Sequence, residues 1–375
     1  ARQIAIDARM ADAPGIGTYL RNVLPNVIAS RPSWRFTLFG TPAGIARQGW
    51  NALDNAVIHE LDAPIYSVRE QLAMWSARRT HFDAFWSPHY NIPLVVGAPL
   101  LVSIHDVIHL ARPEYTTNRT KRWYSRTMYE MVRRRATAIL TCSEFTRLEF
   151  LRLVGPTRAP ILVMPYGVDG SWFQDAPRTP GAGSGSSKSK TPYVVCVGSL
   201  KPHKNVGALI TAFATLLGRI PHDLMIVGRA EGLRTADPSA FERAAACGDR
   251  VRFVGEISDS ALRALVAGAA ALAHPSLYEG FGFPPLEAMA AGCPCVVSRA
   301  ASLPEVCGDA VLYCDATDPA DIASQLFRVI TDQRLAADLS KRGRARADTF
   351  RWSRTVETTL DALDYVVAAP RLSER

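Results

Sequence analysis

The chain reads as an α/β protein of two doubly wound domains, each a parallel sheet covered by helices. Three observations carry that expectation. Apolar strand-like runs alternate with amphipathic helical stretches along most of the 375 residues, the pattern of parallel α/β folds. The alternation breaks once, at a Pro-, Gly- and Ser-rich run over 177–192, and then restarts with a strand. The length also exceeds what one hydrophobic core ordinarily serves.

In the first half, strands are expected at 4–8, 36–39, 56–61, 84–86, 100–104, 138–142 and 161–164. Helical stretches stand around 17–30, 67–80, 117–136 and 144–154. The run 177–192 has no apolar face to bury and is expected to be a flexible linker. Beyond it, strands are expected at 193–197, 224–227, 251–254, 270–274, 295–298 and 311–313, and 351–368 is helical in pattern. The domains are therefore expected at 1–170 and 193–350, with a helical tail over 351–375. Two such domains on one linker would make a cleft at the carboxyl ends of their strands.

Composition narrows the function classes. A hydrophobic content of 48% with 21% charged residues describes a globular protein,. Without a run of eighteen apolar residues, no transmembrane helix is expected. The opening strand over 2–7 leaves no room for a signal peptide. Seven cysteines without a C-x-x-C give neither a disulfide framework nor a zinc site,; Cys293 and Cys295 read as small apolar residues. The cytoplasm is the expected compartment, with the inner face of the cytoplasmic membrane as a variant of it. Of the net charge of +8, residues 1–170 hold 20 Lys and Arg against 13 Asp and Glu. Arg119, Lys121, Arg122, Arg126 and Arg133 to Arg135 are concentrated there, with Trp123, Tyr124 and Tyr129 interleaved. Two readings stand: a helix lying on anionic headgroups, or a solvated face whose aromatics belong to the core. No motif supports nucleic-acid binding.

The densest chemistry lies in Glu279-Gly-Phe-Gly-Phe-Pro-Pro-Leu-Glu287. Gly280 and Gly282 allow a sharp turn and close approach to a ligand. Pro284 and Pro285 suit the first helical positions. A helix N-terminus with orphan N–H groups suits a phosphate, and carboxylates beside it suit the hydroxyls of a sugar. A bare Glu-x7-Glu would equally be a capped helix with an incidental acid. The flanking His274-Pro-Ser276, Ala291-Gly-Cys-Pro294 and Ser302-Leu-Pro-Glu-Val306 decide against that. Over residues 274–315 the chain resembles the retaining glycosyltransferases of family 4, whose hallmark is this pair of glutamates.

That resemblance implies a GT-B fold of two Rossmann-like domains, the last helix crossing back to the N-terminal one. It also implies front-face transfer, in which the leaving phosphate takes the acceptor proton. Glu279 would bind sugar hydroxyls and Glu287 the ribose. Ile257 would lie near the base, and the N–H groups of Phe281, Gly282 and Phe283 would face the phosphates. Lys204, in Val197-Gly-Ser-Leu-Lys-Pro-His-Lys-Asn205, would stabilise the departing diphosphate. Ser199 and His203 stand where many relatives carry arginine, so the neutralising charge would rest on Lys204 and Lys201. His105, in Ser103-Ile-His-Asp-Val107, would lie beside the transferred sugar, with Asp106 fixing the loop. Gly15 and Gly17 follow the first strand and would face the diphosphate and acceptor; alone, a Gly-x-Gly is a weak signal. With no D-x-D sequence and no His/Cys cluster of metal spacing,, the reaction is expected to need no metal and no cofactor.

The implied partners are a nucleotide-sugar donor and a glycan or lipid-linked oligosaccharide acceptor. The second half most resembles bacterial mannosyltransferases of surface-polysaccharide (lipopolysaccharide-type) assembly, which implies GDP-mannose, with a UDP-sugar as the alternative. A sugar-nucleotide epimerase and a non-catalytic sugar-nucleotide-binding partner are the readings from other classes.

Overall fold

The computed structural model describes residues 2–63, 65–75, 80–115, 118–174, 191–228, 237 and 239–370. Residues 177–190 of the expected linker lie outside the described residues, as do 76–79 of the expected helix 67–80 and 117 of the expected helix 117–136. The chain divides into two compact units: Ala1–Gly167 with Trp352–Arg375, and Val168–Arg351.

The first unit is built on strands β1 (Gln3–Asp7), β2 (Arg35–Gly40), β3 (Ala56–Glu60), β4 (Ala84–Ser87), β5 (Leu100–Ile104), β6 (Ala136–Thr141) and β7 (Ile161–Val163). They form one sheet in the order β3-β2-β1-β4-β5-β6-β7, parallel throughout. Strands covered on both faces read as continuous apolar runs, which is why Ile4, Ala5 and Ile6 and then Leu100, Leu101 and Val102 are all buried. The helix Trp352–Ala368 packs on the helix Ile16–Ala29. Thr355 Oγ1 donates to the Pro165 carbonyl at 2.7 Å and Arg31 pairs with Asp364 at 2.5 Å.

The second unit is built on β8 (Tyr193–Val197), β9 (Asp223–Val227), β10 (Val251–Gly255), β11 (Ala271–His274), β12 (Cys295–Ser298) and β13 (Leu312–Cys314). Their order is β10-β9-β8-β11-β12-β13, again parallel. Every strand expected from the sequence forms, its ends within two residues of the expected ones. The helix expected over 67–80 is α-helical at Val68–Ala73, where Ser67 Oγ accepts from the Glu70 N–H at 3.2 Å. All seven cysteines are buried, and none is in a disulfide.

Both sheets reverse their winding between the first strand and the fourth, at β1/β4 and at β8/β11. In doubly wound sheets that reversal opens a crevice at the carboxyl ends of the strands, and ligands bind there.

Candidate active site

In the second unit, the loops after β8 and β11 meet at the reversal. The chain leaves β8 through Gly198 and makes a short 3-10 turn, Pro202–Lys204. Asn205, left-handed at φ 58°, then starts the helix Val206–Ala214. Asn205 is secured by its side chain, which donates to the Pro275 and Ala316 carbonyls at 3.1 and 2.7 Å. Leu277 N–H donates to the His203 carbonyl at 2.7 Å and ties the two loops together. The result is one compact cluster. Lys204 Nζ lies 2.6 Å from Glu279 Oε1, and His274 Nε2 lies 2.9 Å from the same oxygen.

Glu279 sits at the start of a loop that residue 302 pins. Ser302 Oγ donates to the Glu279 and Phe281 carbonyls at 2.9 and 3.0 Å. Gly282 has φ 107°, and a Cβ there would meet Leu303 Cδ2 at 2.7 Å, so both backbone and space require glycine,. The helix Phe283–Ala290 follows, with prolines at its second and third positions. Prolines have no N–H, so any amide contact at this terminus falls to Phe281, Gly282 and Phe283.

Electrostatics separates the two glutamates. Burial alone would raise the Glu279 carboxyl, but Lys204 and His274 override it and hold the group ionised, well below the carboxylate range. Glu287 is half-buried and is pushed up to about 8 by burial and the nearby Asp259, against a smaller opposing pull from Arg263. Asp259 and Arg263 lie on the helix Asp259–Ala267, directly after Ile257, which is half-buried. Charges on the helix that follows the Ile257 loop therefore act on Glu287. His203 is held down to about 4 by burial and Lys204. It is neutral near pH 7 and adds no charge where many family members have arginine. Ser199 is half-buried and its carbonyl accepts from the Lys201 N–H at 2.7 Å. Lys201 is exposed.

The remaining residues expected at the site belong to the first unit. His105 follows β5 with both ring nitrogens engaged: Nε2 is 2.5 Å from the Pro88 carbonyl and Nδ1 meets the Tyr166 hydroxyl. Burial pushes its pKa down to about 4, so the imidazole is neutral, with Nε2–H donating and Nδ1 accepting. Asp106 Oδ1 accepts from the Ile108 N–H at 2.9 Å, which fixes the loop. Gly15, at φ 77°, precedes the helix Ile16–Ala29. The N–H groups of Ile16 and Gly17 donate to the Pro14 and Ala13 carbonyls at 3.0 and 2.8 Å. Gly17 is required by packing, since its Cβ would lie 2.3 Å from the Ala11 oxygen.

One cluster has no counterpart in the sequence reading. At the β1/β4 reversal, the Arg9 guanidinium clamps Asp7 at 2.6 and 2.8 Å and pairs with Glu70. His89 Nε2 lies 3.1 Å from Asp7 Oδ2. Asn91 Nδ2 donates to Glu70 Oε2 at 2.5 Å, and Tyr124 donates to Asn91 Oδ1. Asp7, Glu70, His89 and Asn91 are each 1% exposed. Burial works against the Asp7 carboxylate, and the Arg9 and His89 contacts nonetheless hold it ionised far below its usual range. Arg9, Glu70 and the His89–Asn91 turn lie on separate segments, and singly each residue is an ordinary letter. Only a polar residue ending the apolar strand β1 hinted at it. Among the described residues, no group of three His, Cys, Asp or Glu could hold a metal ion.

Comparison with known proteins gives the family. The family model for glycosyl transferases group 1 covers residues 183–346, a stretch that includes Lys204, His274 and both glutamates. The chain is 28% identical over 297 residues to O-antigen chain mannosyltransferase B of Escherichia coli, covering 77% of this chain and 76% of that protein. It is 30% identical over 285 residues to the MMP alpha-(1->4)-mannosyltransferase of Mycolicibacterium hassiacum, covering 73% and 67%. The crystal structure of Anabaena HepE in complex with UDP and glucose superposes with a TM-score of 0.76 at 18% identity, over 97% of this chain and all of that one. The two doubly wound sheets are thus those of a GT-B fold, and the chain belongs to the glycosyl transferases of group 1.

Proposed function

We propose that the chain moves a mannosyl group from GDP-mannose to a glycan or lipid-linked oligosaccharide, with retention and without a metal. One observation carries the reading: Lys204, His274 and Glu279 converge at the β8/β11 reversal, beside the start of the helix Phe283–Ala290. Glycosyl transfer breaks the C1–O bond, and the electron pair leaves with the diphosphate while C1 becomes oxocarbenium-like. Lys204 and the terminus of that helix supply positive potential for the departing group. Lys204 and His274 both engage Glu279 Oε1, which leaves Oε2 as the oxygen to accept from sugar hydroxyls. The acceptor hydroxyl attacks C1 and its proton passes to the leaving phosphate oxygen, so no protein base is consumed. Glu287 and the Ile257 loop hold the ribose and base. The names of both relatives support mannose. The UDP and glucose bound by HepE favour a UDP-sugar as the second reading.

The acceptor side belongs to the first unit, and its surface supports delivery at an anionic bilayer. Tyr129 is core, but Trp123 on the same basic helix is 69% exposed, and Leu72 and Trp75 are 68% and 47% exposed. Arg69, Arg119, Lys121, Arg122 and Arg126 are exposed with them. Among the described residues, no helix is long and apolar enough to cross a membrane, so this would be contact in the interface plane.

The test is nucleotide release from GDP-mannose and from UDP-glucose in excess EDTA, with acceptor glycans free or in anionic vesicles. Acceptor-dependent GDP release, faster on vesicles and with the α-anomer conserved, is the expected result. Release that needs added manganese overturns the metal-free mechanism. Isomerised donor without transfer indicates an epimerase, and binding without turnover a passive partner.

A further inference from the structure

Tyr66 is held in a conformation its side chain disfavours. Its φ of 66° lies in the left-handed region, which for a bulky aromatic residue is an outlier that persists only where the surroundings impose it. Here the surroundings are the buried cluster at the β1/β4 reversal. The Tyr66 N–H donates to Glu70 Oε2 at 3.0 Å, and Glu70 is fixed in turn by Arg9 and Asn91. The outcome of this support is an exposed ring. Tyr66 stacks on Tyr90 at 5.4 Å and 19°, and Tyr90 on Tyr129 at 4.5 Å and 21°. The edges of His89 and Tyr124 flank it at 6.3 and 6.5 Å. Tyr90 covers one face, yet Tyr66 remains 43% exposed. Three stacked rings and a sealed ionic cluster thus support one aromatic surface open to solvent.

The polar surroundings narrow the occupant. Burial of the hydroxyl, together with Tyr90, Asp106 and Glu70, keeps the Tyr66 phenol protonated and uncharged. Asp106 immediately follows His105 at the end of β5. The Asp106 carbonyl accepts from the Tyr129 hydroxyl at 3.0 Å, at the far end of the ring stack. A flat aromatic face that is open to solvent and backed by two further rings matches a pyranose, which presents C–H groups on one face,.

We propose that Tyr66 forms an acceptor subsite on which a pyranose ring of the glycan stacks. This rests on the reading of the chain as a transferase with a glycan acceptor. The probes are the methyl glycosides of mannose, glucose, galactose and N-acetylglucosamine, followed by saturation-transfer NMR. Kinetics then use a mannotriose acceptor. Tyr66→Gly removes the ring at a backbone angle that glycine adopts freely, so the fold is retained and the GDP-induced rise in melting temperature remains. The expected result is saturation transfer to at least one glycoside, lost in Tyr66→Gly and restored in Tyr66→Phe. The acceptor KM is expected to rise about tenfold in Tyr66→Gly, the scale of one ring-stacking contact. Unchanged saturation transfer and unchanged acceptor KM in Tyr66→Gly overturn the subsite, as does the absence of transfer to every glycoside. If the wild-type protein binds glycosides through Tyr66 yet releases no nucleotide, the subsite stands and the transferase reading falls.

Discussion

The two units carry nearly the same side-chain chemistry at the same topological place and put it to different uses. At β1/β4, Asp7 is held by Arg9 and faced by His89; at β8/β11, Glu279 is held by Lys204 and faced by His274. Both carboxylates are kept ionised by a cation and an imidazole despite burial. The difference is closure. Side-chain exposure is 1% for Asp7 and 5% for Arg9, against 11% for Glu279 and 14% for Lys204. A second carboxylate, Glu70, and the Asn91 amide complete the first cluster. The second stands beside a helix terminus suited to anions,. A buried ion triad is thus no proof of a catalytic centre: we read the first as a strut and propose the second as the site.

The sharpest way to break that contrast is to remove each cation in turn. Arg9→Met leaves Asp7 and Glu70 as buried carboxylates without their partner, a loss on the order of 3–5 kcal/mol. The expected outcome is a large fall in melting temperature. Amide exchange should accelerate at the ends of β1 and β4 while nucleotide still protects the loops after β8 and β11. An unchanged melting temperature would show that the first cluster is not a strut. Lys204→Met should act on rate instead, lowering kcat about 10²–10³-fold, the scale of one preorganised group facing a developing anion. Donor KM should move much less, because the leaving-group charge peaks in the transition state. A mutant with unchanged kcat and weakened donor binding would remove Lys204 from that role.

The same contrast explains what the sequence could disclose. Thirteen strands were legible because buried parallel strands are short apolar runs bounded by turn residues, and the second site because its glycines, prolines and glutamates are contiguous. Its inner geometry was less so. The sequence reading gave Glu279 to hydroxyls and Lys204 to the diphosphate, whereas the fold joins them 75 positions apart in one ion pair. In the first unit the signal was faint. Gly15-Ile-Gly17 reads as a cradle for oxygens, but two of its amides close the turn internally, and Gly17 exists to clear the Ala11 carbonyl. The strut unites residues from four segments, and pairings of that kind leave no local pattern. Tyr66 is hardest of all, since a left-handed conformation announces itself through glycine or asparagine and here falls on an aromatic.

Glu287 offers the subtlest comparison, since it has no depressed counterpart and lies on the opposite side of the pKa scale from Glu279. With its pKa raised from 4.5 to about 8, the folded state keeps a proton that the unfolded chain loses above pH 4.5. Its contribution to stability is therefore complete below pH 4.5, declines as pH rises toward about 8, and is flat beyond. Glu287→Gln, neutral at every pH, should flatten that part of the stability profile. Ribose hydroxyls are donors to an ionised carboxylate, so nucleotide binding through Glu287 should expel its proton at pH 7. Calorimetry of GDP binding in two buffers of different ionisation enthalpy reads this directly. The wild-type heats should differ by close to one proton's worth, and those of Glu287→Gln should coincide. Equal heats in the wild type would mean that the ribose meets Glu287 as a neutral acid, which then donates to a ribose oxygen and leaves affinity insensitive to pH across that range.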